Sequence, residues 1–108
     1  MSATLKAINS KVEGYTYLTL DGIFGSVAAG FVAEGDVTQK LMTGVATAGV
    51  HQVFHNQIKT NAPPNMIKDF NIPAFDGIVA GGVAYFLGGT TSAIAFGALH
   101  APIHFNIV

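Results

Sequence analysis

Four histidines and two aspartates are the residues of this chain whose types and spacing could do chemistry. His51 and His55 stand four apart, and so do His100 and His104. On a helix that spacing puts both imidazoles on one face, within reach of a single metal ion. Asp21 opens an apolar stretch that ends at His51-Gln-Val-Phe-His55, and Asp76 opens another that ends at His100-Ala-Pro-Ile-His104. The two stretches align as an internal repeat, matching Asp21/Asp76, Gly22/Gly77, Ile23/Ile78, Ala29/Ala84 and Phe31/Phe86. After a shortening at the turn they match Ala46/Ala95, His51/His100, His55/His104 and Ile58/Ile107. A repeated unit bracketed by ionisable residues fixes where those residues lie in space.

Three uses of these six side chains compete. Brought together by the pseudo-twofold axis of the repeat, the four imidazoles could bind a metal, with Asp21 or Asp76 as a ligand or orienting partner. One histidine from each half could instead clamp a haem iron from both sides. The third use needs no cofactor. Histidines at helix C-termini cap carbonyls and meet the negative end of the dipole, while Asp21 and Asp76 near N-termini complement the positive end. It accounts for all six residues and is preferred, because capping is general and metal sites are rare. Nothing ionisable continues through the middle of the helices to make a proton path. Gly81-Gly82 and Gly88-Gly89 lack the lysine and strand of a phosphate loop, and there is no cysteine nucleophile. The expectation is a protein that is not an enzyme and carries no cofactor.

The elements that must position these residues read as helices throughout. Leu5, Ile8 and Val12 give residues 1–14 the pattern of an amphipathic helix lying on a membrane surface, ended by Gly14. A first long helix is expected from about Thr16 to Ala33, then a Glu34-Gly35-Asp36 turn with Asp36 and Gln39 as a capping pair. The next helix runs from about Val37 to Gln57. Residues 59–73, rich in proline and asparagine, read as a loop at the interface. Residues 76–105 could form one tilted helix. Two are preferred, because Gly88-Gly89 aligns with the turn of the first half and Thr90-Thr91-Ser92 offers caps. At about 1.5 Å per residue, Asp21 to Gly35 rises roughly 21 Å and Asp36 to His51 falls roughly 22 Å. All six ionisable residues thus come to one level. The division is 1–14 interfacial helix, 15–58 first hairpin, 59–73 loop and 74–108 second hairpin.

Composition suggests the setting. Only 10% of residues are charged and half are apolar, with 13 glycines besides, against about 25% charged in ordinary soluble domains. No Asp, Glu, Lys or Arg occurs from Gly77 to Val108. Lys6, Lys11, Lys59 and Lys68 fall on the side of the termini and Lys40 alone near the turns, which by the positive-inside rule places the termini on the cytoplasmic or equivalent face. Rows of small residues, among them Gly22, Ser26 and Gly30, then Gly77 and Gly81, then Gly97, suit close helix packing in lipid. The expected fold class is all-α, a small integral membrane protein of two tandem helical hairpins (four short helices). Its expected role is structural, as a subunit of a larger membrane assembly such as a minor membrane protein beneath a viral capsid. Lipid and other membrane or capsid subunits would be its partners, in an oligomer or array. A holin-like pore former is a further alternative. Five scattered lysines give no footprint for nucleic acid.

Overall fold

A computed structural model of the chain describes residues 2–61 and 71–107. These form five helices and, among the described residues, no strand, so the all-α expectation holds. Helix α1 (Ala3–Thr16) begins where the Ser2 hydroxyl accepts the Leu5 N–H at 3.1 Å. It runs through Gly14, where a stop was expected, and ends on a left-handed Tyr17 whose N–H donates to the Glu13 carbonyl at 2.8 Å. No α1 residue is buried, and the helix leans on the bundle through contacts such as Ser2 N to the Asn106 carbonyl, 3.3 Å.

The other four helices make an up-and-down bundle: α2 (Leu20–Phe31), α3 (Val37–Asn61), α4 (Asn71–Gly88) and α5 (Thr90–Ile107). Helices α2 and α4 each pack on both α3 and α5. The expected loop at 59–73 is helical at both of its described ends. Residues 59–61 and 71–73 continue the flanking helices, and 62–70 lie outside the described residues. The break after Gly88 is real, with Gly89 at φ +95°, a conformation that suits a residue without Cβ. The turns of the two hairpins are fastened together. Glu34 N–H donates to the Gly88 carbonyl at 2.9 Å, and the Gln39 side chain donates to the Leu87 carbonyl at 2.6 Å. Asp36 caps α3 by accepting the Gln39 N–H at 2.9 Å. Gln39 therefore serves the second hairpin rather than closing a box with Asp36.

Small residues decide which faces point inward. Gly22, Ser26 and Gly30 are buried against α3, and a Cβ added at Gly30 would lie 3.3 Å from the Gly44 Cα. Gly77 faces α5 closely and Gly81 loosely, whereas Gly97 points away with nothing within 4 Å. The interior is Ala29, Ala80, Ala84 and Phe96, together with buried Ser26, Thr43, Thr47, Gln52 and Ser92. Thr43 and Thr47 are satisfied within their own helix, donating to carbonyls four residues back at 2.8 and 2.6 Å, Ser92 reaches across to the Ala29 carbonyl of α2 at 2.6 Å, and Ser26 Oγ has no hydrogen-bond partner. Large apolar side chains lie outside instead, among them Phe24, Phe31, Leu41, Val45, Ile78, Phe86 and Ile94. Among the described residues no helix is long and apolar enough to cross a membrane, which lends no support to the four spans expected from composition.

Candidate functional site

The six ionisable side chains meet inside the bundle, at the end opposite the fastened turns. Asp21 lies in the first turn of α2. That turn is capped from outside: Thr19 N–H donates to Gln52 Oε1 at 3.1 Å, and Leu20 N–H to Asn9 Oδ1 at 2.8 Å. Asp76 lies inside α4, whose start at Asn71 is a full turn earlier. His51 and His55 lie on one face of α3, which continues to Asn61, and His100 and His104 on one face of α5, which continues to Ile107.

These positions correct the capping expectation. His51, His55 and His100 are not at helix ends, so their rings have no terminal carbonyls to cap. Asp76 is not at an N-terminus. Two residues keep the places assigned to them: Asp21 near the positive end of α2, where its Oδ1 accepts the Gly22 N–H at 2.8 Å, and His104 in the last turn of α5.

Each carboxylate is bonded across the repeat. His104 Nδ1–H donates to Asp21 Oδ2 at 2.8 Å, and His100 Nε2 lies 3.3 Å from the same oxygen. On the other side His51 Nε2 is 3.2 Å and His55 Nδ1 is 3.4 Å from Asp76 Oδ2. At the centre His51 Nε2 and His100 Nε2 face each other at 3.2 Å, one donating to the other. Longer contacts close the figure, His51 Nε2 to Asp21 Oδ2 at 3.7 Å and His100 Nε2 to Asp76 Oδ1 at 3.6 Å. Taking one atom each, Asp21, Asp76, His100 and His104 also lie within 4.8 Å of one another. Sequence spacing anticipated the convergence on one level. It missed the crossed pairing, which depends on how each helix is rotated about its axis.

The glycine after each aspartate makes the room. A Cβ at Gly22 would collide with the His51 ring, and one at Gly77 would lie 2.7 Å from His100 Cε1. Phe96 floors the site, stacked on His100 with centroids 5.2 Å apart and tilted against His51 at 6.1 Å. Rings fill the space between the two halves, leaving no slot for a porphyrin between His51 and His100. Asp76 Oδ1, His51 Nδ1 and His104 Nε2 are buried without a hydrogen-bond partner.

Burial opposes charge throughout the cluster, and the pairing outweighs it. Burial favours the neutral form of Asp21, yet hydrogen bonds from His100, His104 and His51 hold its carboxyl well below the usual range. Asp76 is likewise resisted by burial but lowered to about 2 by His51 and His55, with further help from the charge on His51 and His100. Burial works against an imidazolium at His51, and hydrogen bonds to Asp21 and Asp76 raise it to about 9. The cluster therefore favours a protonated His51 between two ionised carboxylates. Comparison of the chain with protein-family models, with curated proteins and with solved structures gives no match.

Proposed function

We propose that this chain is a structural subunit of a larger membrane-associated assembly, such as the layer beneath a viral capsid. One observation carries the reading: the bundle keeps its polar side chains inside and its large apolar ones outside. Thr43, Thr47, Ser92, Asp21 and His51 are fully buried, while Phe31 is 77% and Phe86 86% exposed. A 108-residue protein standing alone in water leaves that much apolar surface unsatisfied. Neighbouring subunits that cover it remove the cost. An apolar groove of about 590 Å³ between α2 and α3, edged by Val27, Phe31, Leu41 and Val45, adds a further face for close packing. Polar groups inside then give each subunit a defined internal register without competing for the outer contacts. The core of Phe96 and alanines fills the axis of the bundle, which speaks against a pore through a single chain.

The test is the state of the full-length protein extracted in mild detergent. Light scattering should report an oligomer or a stable complex. Replacing the outward Phe31, Val45 and Phe86 together with serine should release a folded monomer. A monodisperse monomer of the unmodified chain in detergent-free buffer would sink the proposal.

A further inference from the structure

We propose that Asp21, His51, Asp76 and His100 form a tetrahedral site for one divalent transition metal of the zinc class, with His104 and His55 as positioning residues. The separations of the donor atoms carry this. With Asp21 Oδ2 and Asp76 Oδ1 as the carboxylate donors, four of the six edges of the quartet measure 3.2, 3.3, 3.6 and 3.7 Å, and the other oxygen of Asp76 lies 3.2 Å from His51 Nε2. A tetrahedral ion with bonds of about 2.0–2.1 Å has ligand edges of about 3.3 Å. Two nitrogens that face each other, flanked by two carboxylates, already outline the first shell of such an ion.

A second, independent observation is the set of unpartnered atoms. Asp76 Oδ1 is buried, has no hydrogen-bond partner and lies on the quartet's side of its carboxylate, 3.6 Å from His100 Nε2. A buried carboxylate oxygen without a donor is costly, and a metal–oxygen bond removes the deficit. Charge gives the same answer. Two buried carboxylates neutralise one divalent cation, so the loaded centre carries no net charge into the interior.

Ligand chemistry narrows the metal. Two imidazole nitrogens with two carboxylate oxygens suit zinc and its neighbours, whereas calcium and magnesium prefer six or more oxygens. The outer histidines complete the design. His104 Nδ1 lies 2.8 Å from Asp21 Oδ2, a hydrogen-bond distance shorter than a tetrahedral edge, and His55 Nδ1 lies 3.4 Å from Asp76 Oδ2, the oxygen beside the ligating one. Each outer imidazole thus orients the ligating carboxylate of the other repeat. Four protein ligands, all buried, leave no open position for substrate, so the ion ties the two hairpins together.

The experiment uses the full chain stripped by chelator and titrated with Co²⁺, then with Zn²⁺. One equivalent of Co²⁺ per chain should give the intense visible bands of a tetrahedral ion, zinc should displace it, and either metal should raise the melting temperature. His51→Gln and Asp76→Asn should each abolish stoichiometric binding. His104→Gln should keep one equivalent but weaken it by about 10–100-fold. Absence of the bands, weak bands of an octahedral ion, or no change in melting temperature on the unmodified chain overturns the proposal, whether or not the variants fold. Retention of the tetrahedral bands in His51→Gln together with their loss in His104→Gln overturns the assignment of ligands.

Discussion

Asp21 sits at the tip of α2, fully buried, and takes a short hydrogen bond from His104, whose side chain is 6% exposed. Its counterpart Asp76 sits inside α4 and faces His55 at 3.4 Å, with a side chain 21% exposed. Two arms related by an internal repeat have therefore diverged into a tight arm and a loose one. A short, buried, charge-assisted bond fixes both partners, whereas a longer and wetter one leaves its imidazole free to exchange with water. Approximate repetition gave the cluster its plan. The unequal positions of the two aspartates, one in the first turn of α2 and one inside α4, go with a buried arm and a more exposed one.

Removing each carboxylate is the strongest way to break this contrast. In metal-free protein, Asp21→Asn strips charge from the cluster where three imidazoles converge and should cost about 3–5 kcal/mol. Asp76→Asn should cost about 2 kcal/mol. Urea unfolding followed by circular dichroism measures both, and equal costs would show that the arms are equivalent after all.

His51 touches both arms, so the pH profile of the metal-free protein reports on them jointly. Its raised pKa contributes stability that is complete below 6.5 and is lost as pH climbs through about 9. The lowered carboxylates contribute above 3.8, and the share of Asp76 disappears as pH falls through about 2. The melting temperature of the metal-free chain should thus peak between 3.8 and 6.5 and decline on the alkaline side. The stability lost over that range is on the order of a few kcal/mol. With zinc present the alkaline decline should vanish, because metal displaces the proton. A flat profile in the metal-free protein would remove His51 as the shared charge.

Smaller effects sharpen the difference. Gly22→Ala drives a methyl group into the His51 ring and should cost about 2 kcal/mol, with Gly77→Ala at about 1 kcal/mol because His100 stands slightly farther off. His104→Gln should cost about 1–2 kcal/mol without metal and His55→Gln about 0.5 kcal/mol or less. Reversal of either order in thermal melts would mean that the tight arm has been assigned to the wrong repeat.

Much of this arrangement was legible in particular residues. The Asp-Gly pairs, the two i, i+4 histidine pairs and the Gly35 and Gly88-Gly89 breaks set helix order, and counting residues brought six ionisable groups to one level. Rotation was not legible. Whether His51 points at its own repeat's aspartate or at the other's depends on side-chain packing across four helices, above all on Gly22, Gly77 and Phe96. Helix ends misled for a similar reason. Pro73 suggested a loop, yet proline is tolerated in a first helical turn, and the extra turn of α4 moves Asp76 from a terminus into the interior. Apolar composition was read as lipid-facing spans. The structure places that surface outside a polar interior but supplies no helix, among the described residues, that meets the length and apolarity of a span.

The bond between Asp21 and His104 joins residues 83 apart in the chain. Loops of that length close late, because their entropy must be lost before any contact compensates. Synthesis delivers Asp21, His51, Asp76 and His100 in that order, one from each helix of the bundle. Until α5 docks, the growing chain therefore holds two aspartates and a histidine pair with no enclosed place for them. The interior charge of this protein is a product of completion: it cannot be assembled by one hairpin, and it marks a chain in which both hairpins are in place.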